Sequence, residues 1–150
     1  MLNPDYKDML SALFDANVEF IVVGAFALAA HGNPRSTGDI DLFVRPSPDN
    51  AIRTLDALRK FGAPMDQISV EDFSREDVVF QIGLVPRRID LLTSLEGVDS
   101  FDEAWSDRVV VEVGGFQLPV LSKKTLIQNK KALGRPQDIA DVAWLEASTK

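Results

Sequence analysis

The chain has 150 residues, 45% of them apolar and 26% charged, the proportions of one globular domain with a real core rather than of a disordered or low-complexity chain. It contains no cysteine and one histidine, which excludes a disulfide scaffold, a thiolate metal centre, a cysteine nucleophile and a His-rich zinc site. Sixteen basic against 23 acidic residues leave a net charge of −7, which argues against broad electrostatic adhesion to nucleic acid or anionic lipid.

Asn3 followed by Pro4 is a helix start, and Tyr6, Leu10, Leu13 and Phe14 recur at helical spacing, so a first helix is expected up to about Asn17. Val18 to Val23 is rich in β-branched and apolar residues and stops at Gly24, as a buried strand does. A glycine turn and a short helix to His31-Gly32 follow. The longest apolar run, Phe20 to Ala30, has 11 residues, too few for a membrane span. The N-terminal segment carries acids where a signal peptide needs bases, so a cytoplasmic protein with no membrane partner is expected.

Asn33 to Gly38 reads as a polar turn and Asp39 to Val44 as a second strand. Ser47-Pro48 opens a helix with Ile52, Leu55, Leu58 and Phe61 inward, closed by Gly62. Val78 to Ile82 and Arg88 to Leu92 predict a hairpin, Ser100 with Glu103 a capping box for a short helix, and Val109 to Val113 with Phe116 to Leu121 a second hairpin about Gly114-Gly115. Ser122 and Pro136 open two C-terminal helices. With no repeat or linker, residues 1–150 are read as one mixed α/β (α+β) domain, a partly antiparallel sheet flanked by helices.

Asp39 and Asp41 are two apart on a predicted strand, so both carboxylates leave one face. Oxygen donors at that separation suit a hard cation such as Mg2+, with Mn2+ as a substitute, which keeps waters and accepts nucleotide phosphates. Sixteen aspartates make an Asp-x-Asp pair unremarkable by itself; its company gives it weight. Asp90 is embedded in the apolar run Ile89-Asp90-Leu91-Leu92, where an unpaired ionised carboxylate is costly. It is read either as a third metal ligand or as the salt-bridge partner of Arg87 or Arg88. Gly24, between strand and helix, leaves the first helical amides free to meet a phosphate. Arg35 and Thr37 precede the acids, as phosphate contacts or as braces for Asp39 and Asp41.

Ser122 to Arg135 holds five basic residues and no acid. Within it Lys130 is read as a phosphate contact or as part of a solvated face. Asp138 and Asp141 are read as braces for Arg135 or as surface groups, His31 as a helix C-terminal residue, and Trp105 and Trp144 as core or interface aromatics.

Gly24-Ala25, Asp39-Ile40-Asp41 and Asp90 together resemble the signature of the nucleotidyltransferase superfamily related to DNA polymerase beta. The block from Val22 to Leu42 is similar to small bacterial members found among antibiotic-modifying enzymes and toxin–antitoxin operons. So is the tail with Leu126, Asn129, Lys130, Gly134, Arg135, Asp138 and Asp141. The resemblance implies that Asp39, Asp41 and Asp90 are catalytic and hold magnesium, and that Gly24 and its neighbour Ala25 meet the phosphates. Ala25 departs from the Gly-Ser or Gly-Gly that members often carry, removing a side-chain contact but keeping the amide. The expected reaction moves a nucleoside monophosphate from an NTP to a hydroxyl or phosphate of a small molecule, a protein or a tRNA, in a homodimer or with an operon-encoded partner. The alternative is a non-catalytic nucleotide-binding or operon-partner protein that keeps the fold.

Overall fold

The computed structural model describes residues 2–33, 38–84 and 87–148. In chain order it contains α1 (Pro4–Asp15), β1 (Phe20–Val23), α2 (Gly24–Ala30), β2 (Ile40–Val44), α3 (Pro48–Phe61), α4 (Val70–Phe73), β3 (Val79–Ile82), β4 (Ile89–Leu92), α5 (Phe101–Ser106), β5 (Val109–Val113), β6 (Phe116–Val120), α6 (Lys123–Leu133) and α7 (Pro136–Ala147). The described strands form one sheet in the order β3-β4-β2-β1-β6-β5. Both expected hairpins, β3/β4 and β5/β6, are antiparallel, as is β1/β2, whereas β2/β4 and β1/β6 are parallel. The sheet is therefore mixed, as alternating strands and helices followed by hairpins require.

The central strands are the most apolar. All four residues of β1 are buried, and β2 buries Ile40, Leu42, Phe43 and Val44. With Ile89 and Leu91 of β4 and with Leu10, Leu13, Leu28 and Leu58 of the helices they form a continuous core. Phe43 meets Phe101 edge to face at 5.0 Å, fastening α5 to β2.

Asn3, Ser47, Ser100 and Ser122 start α1, α3, α5 and α6, each accepting a backbone N–H of the first turn. The expected capping box of α5 is only half formed, since the Glu103 carboxylate accepts from Gln128 instead, which links α5 to α6. Helix α4 was not expected, although its signal stands in the chain: Ser69 and Asp72 form a reciprocal capping box. Strand β1 starts at Phe20, two residues after the expected start at Val18, and β2 starts at Ile40, which leaves Asp39 at the mouth of the strand.

One buried polar side chain aligns the two strands that carry the site. Asn50, on the first turn of α3, accepts from the Glu19 N–H at 2.8 Å and donates to the Glu19 and Arg45 carbonyls at 3.0 and 3.1 Å. It joins the start of β1 to the end of β2, satisfying groups that would otherwise be buried without partners.

Candidate active site

Register builds the site. Asp41 lies opposite Val23 of β1 on one side and opposite Asp90 of β4 on the other. Residues facing each other across neighbouring strands share a face of the sheet, so the two carboxyls meet and are within hydrogen-bonding reach. Burial, then the charge of Asp90, pushes the Asp41 carboxyl up to about 6, and Arg88 draws it partly back. Asp39, at the mouth of β2, lines the same cleft.

Gly24 follows Val23 with φ +69°, a left-handed conformation. A Cβ there would overlap Oδ2 of Asp41, so the position needs glycine on two counts. Val23, which precedes α2, offers no side-chain cap to that helix. The turn opens onto a cleft of about 770 Å³ whose walls include Gly24, Ala25, Asp39, Asp41, Arg88, Asp90, Asn129 and Lys130.

The salt-bridge reading of Asp90 is realised, through Arg88. Arg88 grips it in bidentate fashion, Nε to Oδ1 at 2.9 Å and Nη2 to Oδ2 at 3.2 Å, and the same Nη2 lies 3.3 Å from Oδ2 of Asp39. Arg88 thus bridges two of the three aspartates, and its hydrogen bond to Asp90 raises its own pKa above the usual arginine value. Arg87 is exposed, with its backbone N–H turned to the Leu84 carbonyl. Among the described residues no three carboxylate or imidazole groups are arranged to hold one metal ion as they stand. The donor set nonetheless fits magnesium: oxygen ligands only, two of them crowded until one carboxyl resists ionising, which a cation would relieve.

Tyr6, which the chain's pattern presents only as a core position, supports the site from beneath. Its hydroxyl donates to the Gly38 carbonyl at 2.5 Å and lies 3.3 Å from that of Arg88, so α1 ties down the approaches to both aspartate strands. Burial, then the charge of Asp39, raises the pKa of that hydroxyl above the usual tyrosine value. No spacing rule connects residues 32 apart; only the fold does.

The basic stretch needs correction. Lys130 is no solvated lysine: it is 5% exposed, with Nζ 2.9 Å from Asp141 and 3.4 Å from Asp138. Asp138 and Asp141 are buried, not surface groups. Asp138 does brace Arg135, accepting from Nε at 2.6 Å and Nη2 at 3.1 Å, and that bond holds its carboxyl below the usual range. Lys131 pairs with Glu146 at 3.3 Å. Helix α7 supplies acids that the Ser122 to Arg135 window leaves out, so the local positive field is largely cancelled. Lys130 still lines the cleft.

His31 caps the end of α2 and its Nε2 lies 2.7 Å from the Leu121 carbonyl, a structural contact rather than a base. Trp105 stacks on Phe101 and Trp144 packs on the core. Arg35 and Thr37 lie outside the described residues.

The fold is that of nucleotidyltransferase-like domains. The chain is similar to TM1012 of Thermotoga maritima, assigned as a nucleotidyltransferase, with 20% identity, 98% of this chain and 96% of that chain covered, and a TM-score of 0.59. It is also similar to the antibiotic-resistance factor ANT(2'')-Ia, with 16% identity, 96% and 82% covered and a TM-score of 0.63. No curated protein matches in sequence. Residues 5–147 match the family of nucleotidyltransferases of unknown function, DUF6036, and the chain belongs to that family. Nucleotidyl transfer is therefore the general class of its chemistry.

Proposed function

We propose that this protein is a magnesium-dependent nucleotidyltransferase that moves a nucleoside monophosphate from an NTP to an acceptor hydroxyl or phosphate. The acceptor oxygen bonds to the α-phosphorus, the bond to the β-phosphate oxygen breaks, pyrophosphate leaves with that bond's electron pair, and a hydroxyl acceptor gives its proton to water. The observation that carries this reading is the row Val23, Asp41, Asp90 across three adjacent strands, which sets two carboxyls against each other beside the glycine turn.

Asp39, Asp41 and Asp90 would hold the magnesium, which when bound supplies charge neutralisation on the phosphates and a more acidic attacking oxygen. The residues of the chain then have separable tasks. The amides of Gly24 and Ala25 receive phosphate oxygens, because no side chain caps α2 and both residues line the cleft. Lys130, held by Asp141 and Asp138, adds a fixed ammonium to the cleft wall. Asp39 and Asp41 serve ground-state binding of the nucleotide, and Asp90 serves activation of the acceptor.

The test pairs calorimetry with transfer. NTP affinity should depend on magnesium and vanish in the Asp39→Asn, Asp41→Asn double variant without loss of folding; equal affinity in EDTA and magnesium refutes the reading. Asp90→Asn should bind magnesium-NTP within a few-fold of the parent yet transfer label from an α-labelled NTP slower by on the order of 10²–10⁴. Binding of NTP with no transfer to tRNA, protein or small-molecule acceptors would leave a non-catalytic nucleotide-binding protein.

A further inference from the structure

Arg88 occupies a place that the proposed chemistry does not use. Its guanidinium is flanked by Asp90 at 2.9 Å and Asp39 at 3.3 Å, two of the three carboxylates read above as magnesium ligands, while Asp41 abuts Asp90 from the neighbouring strand. Three carboxyls gathered at one place need a counter-charge, and Arg88 supplies it from within the chain. Its side chain is 29% exposed and lines the cleft, so unlike the buried Lys130 it has room to change partner.

We propose that Arg88 is the resident counter-ion of the aspartate cluster, competing with the divalent cation for Asp90 and Asp39 and moving to the triphosphate when nucleotide binds. Metal alone must displace a bidentate ion pair, so it binds weakly. Nucleotide offers the guanidinium phosphate oxygens, the other planar fork that arginine recognises, and frees the carboxylates. Metal and nucleotide therefore strengthen each other, and the coupling is reciprocal because it is a property of one equilibrium. Arg88 is in this role a positioning residue that sets the order of loading, and the inference rests on the metal reading of the same site.

The experiment measures Mn2+ binding by electron paramagnetic resonance, alone and with α,β-methylene-ATP, in the parent, Arg88→Gln and Arg88→Lys. Arg88→Gln should bind Mn2+ alone about tenfold more tightly, the scale of one charge-assisted pair, and its gain on adding nucleotide should shrink by the same factor. Arg88→Lys, which keeps the charge but loses the fork, should fall between, and it covers the case in which the glutamine variant melts too low to assay. Arg88→Gln binding Mn2+ no more tightly than the parent, with the nucleotide effect intact, overturns the inference alone and makes Arg88 a brace for Asp90. Absence of Mn2+ binding in parent and variants overturns the metal reading and the inference with it.

Discussion

Replacing Gly24 by alanine isolates the closest approach in the site. Two costs add: alanine in the left-handed conformation at φ +69° and the overlap of its Cβ with Oδ2 of Asp41. The first is about 1–2 kcal/mol and the second, a forced repacking, about 1–3 kcal/mol, together about 2–5 kcal/mol. At roughly 2–4 °C per kcal/mol for a domain of this size, the melting temperature should fall by about 4–20 °C. Gly62 supplies the control, since it closes α3 at φ +95° with nothing within 4 Å of an added Cβ. Gly62→Ala therefore carries only the backbone cost. A double-mutant cycle completes the test: Asp41→Ala removes the overlapping carboxylate and leaves a Cβ at the ordinary distance of 3.4 Å. The pair should couple by about 1–3 kcal/mol in chemical denaturation. Equal costs for Gly24→Ala and Gly62→Ala, with no coupling to Asp41, would refute the close approach and the cradle built on it.

Asp41 predicts a pH effect in EDTA: with its carboxyl pushed up to about 6, the folded chain keeps a proton that the unfolded chain releases near the ordinary aspartate value of about 4. That contribution is full below about pH 4 and is lost as pH rises through about 6, so Asp41→Asn should gain on the parent by about 1–3 kcal/mol between pH 4 and pH 7. Thermal melts across that range check it, and a difference that stays flat refutes it. Lys130→Ala removes the ammonium that pairs with buried Asp141 and Asp138 and should cost about 3–5 kcal/mol by chemical denaturation, whereas Arg135→Ala, at a side chain 66% exposed, should cost far less. Equal small losses would return Lys130 to a solvated role. Tyr6→Phe leaves the Gly38 carbonyl without that donor and should cost about 1–2 kcal/mol in stability. It should also weaken magnesium-NTP binding by calorimetry; unchanged binding would make Tyr6 a core residue only.

Local chemistry made much of the fold legible. Asn3-Pro4, Ser47-Pro48 and Ser122 cap helices wherever they fall, because a cap acts on amides two or three residues away. Gly24 marked the turn, Asp90 stood out as an acid among apolar neighbours, and the strand rule placed Asp41, whereas Asp39 lies just ahead of the strand rather than on it. The Arg135–Asp138 brace was within reach of the same local rules, being three residues apart. What no local rule contains is which strand lies beside which. The parallel pairing of β2 with β4 sets Asp41 against Asp90, so that burial and then this contact raise the Asp41 carboxyl, and it gives Arg88 two acids to bridge. The packing of α7 on α6 likewise turned an apparently basic stretch into buried and surface ion pairs, because Asp138, Asp141 and Glu146 reach Lys130 and Lys131 across a helix interface. Charge tallied along a chain ignores partners that arrive through space; at contact distance and in a poorly solvated interior, those partners govern the electrostatics.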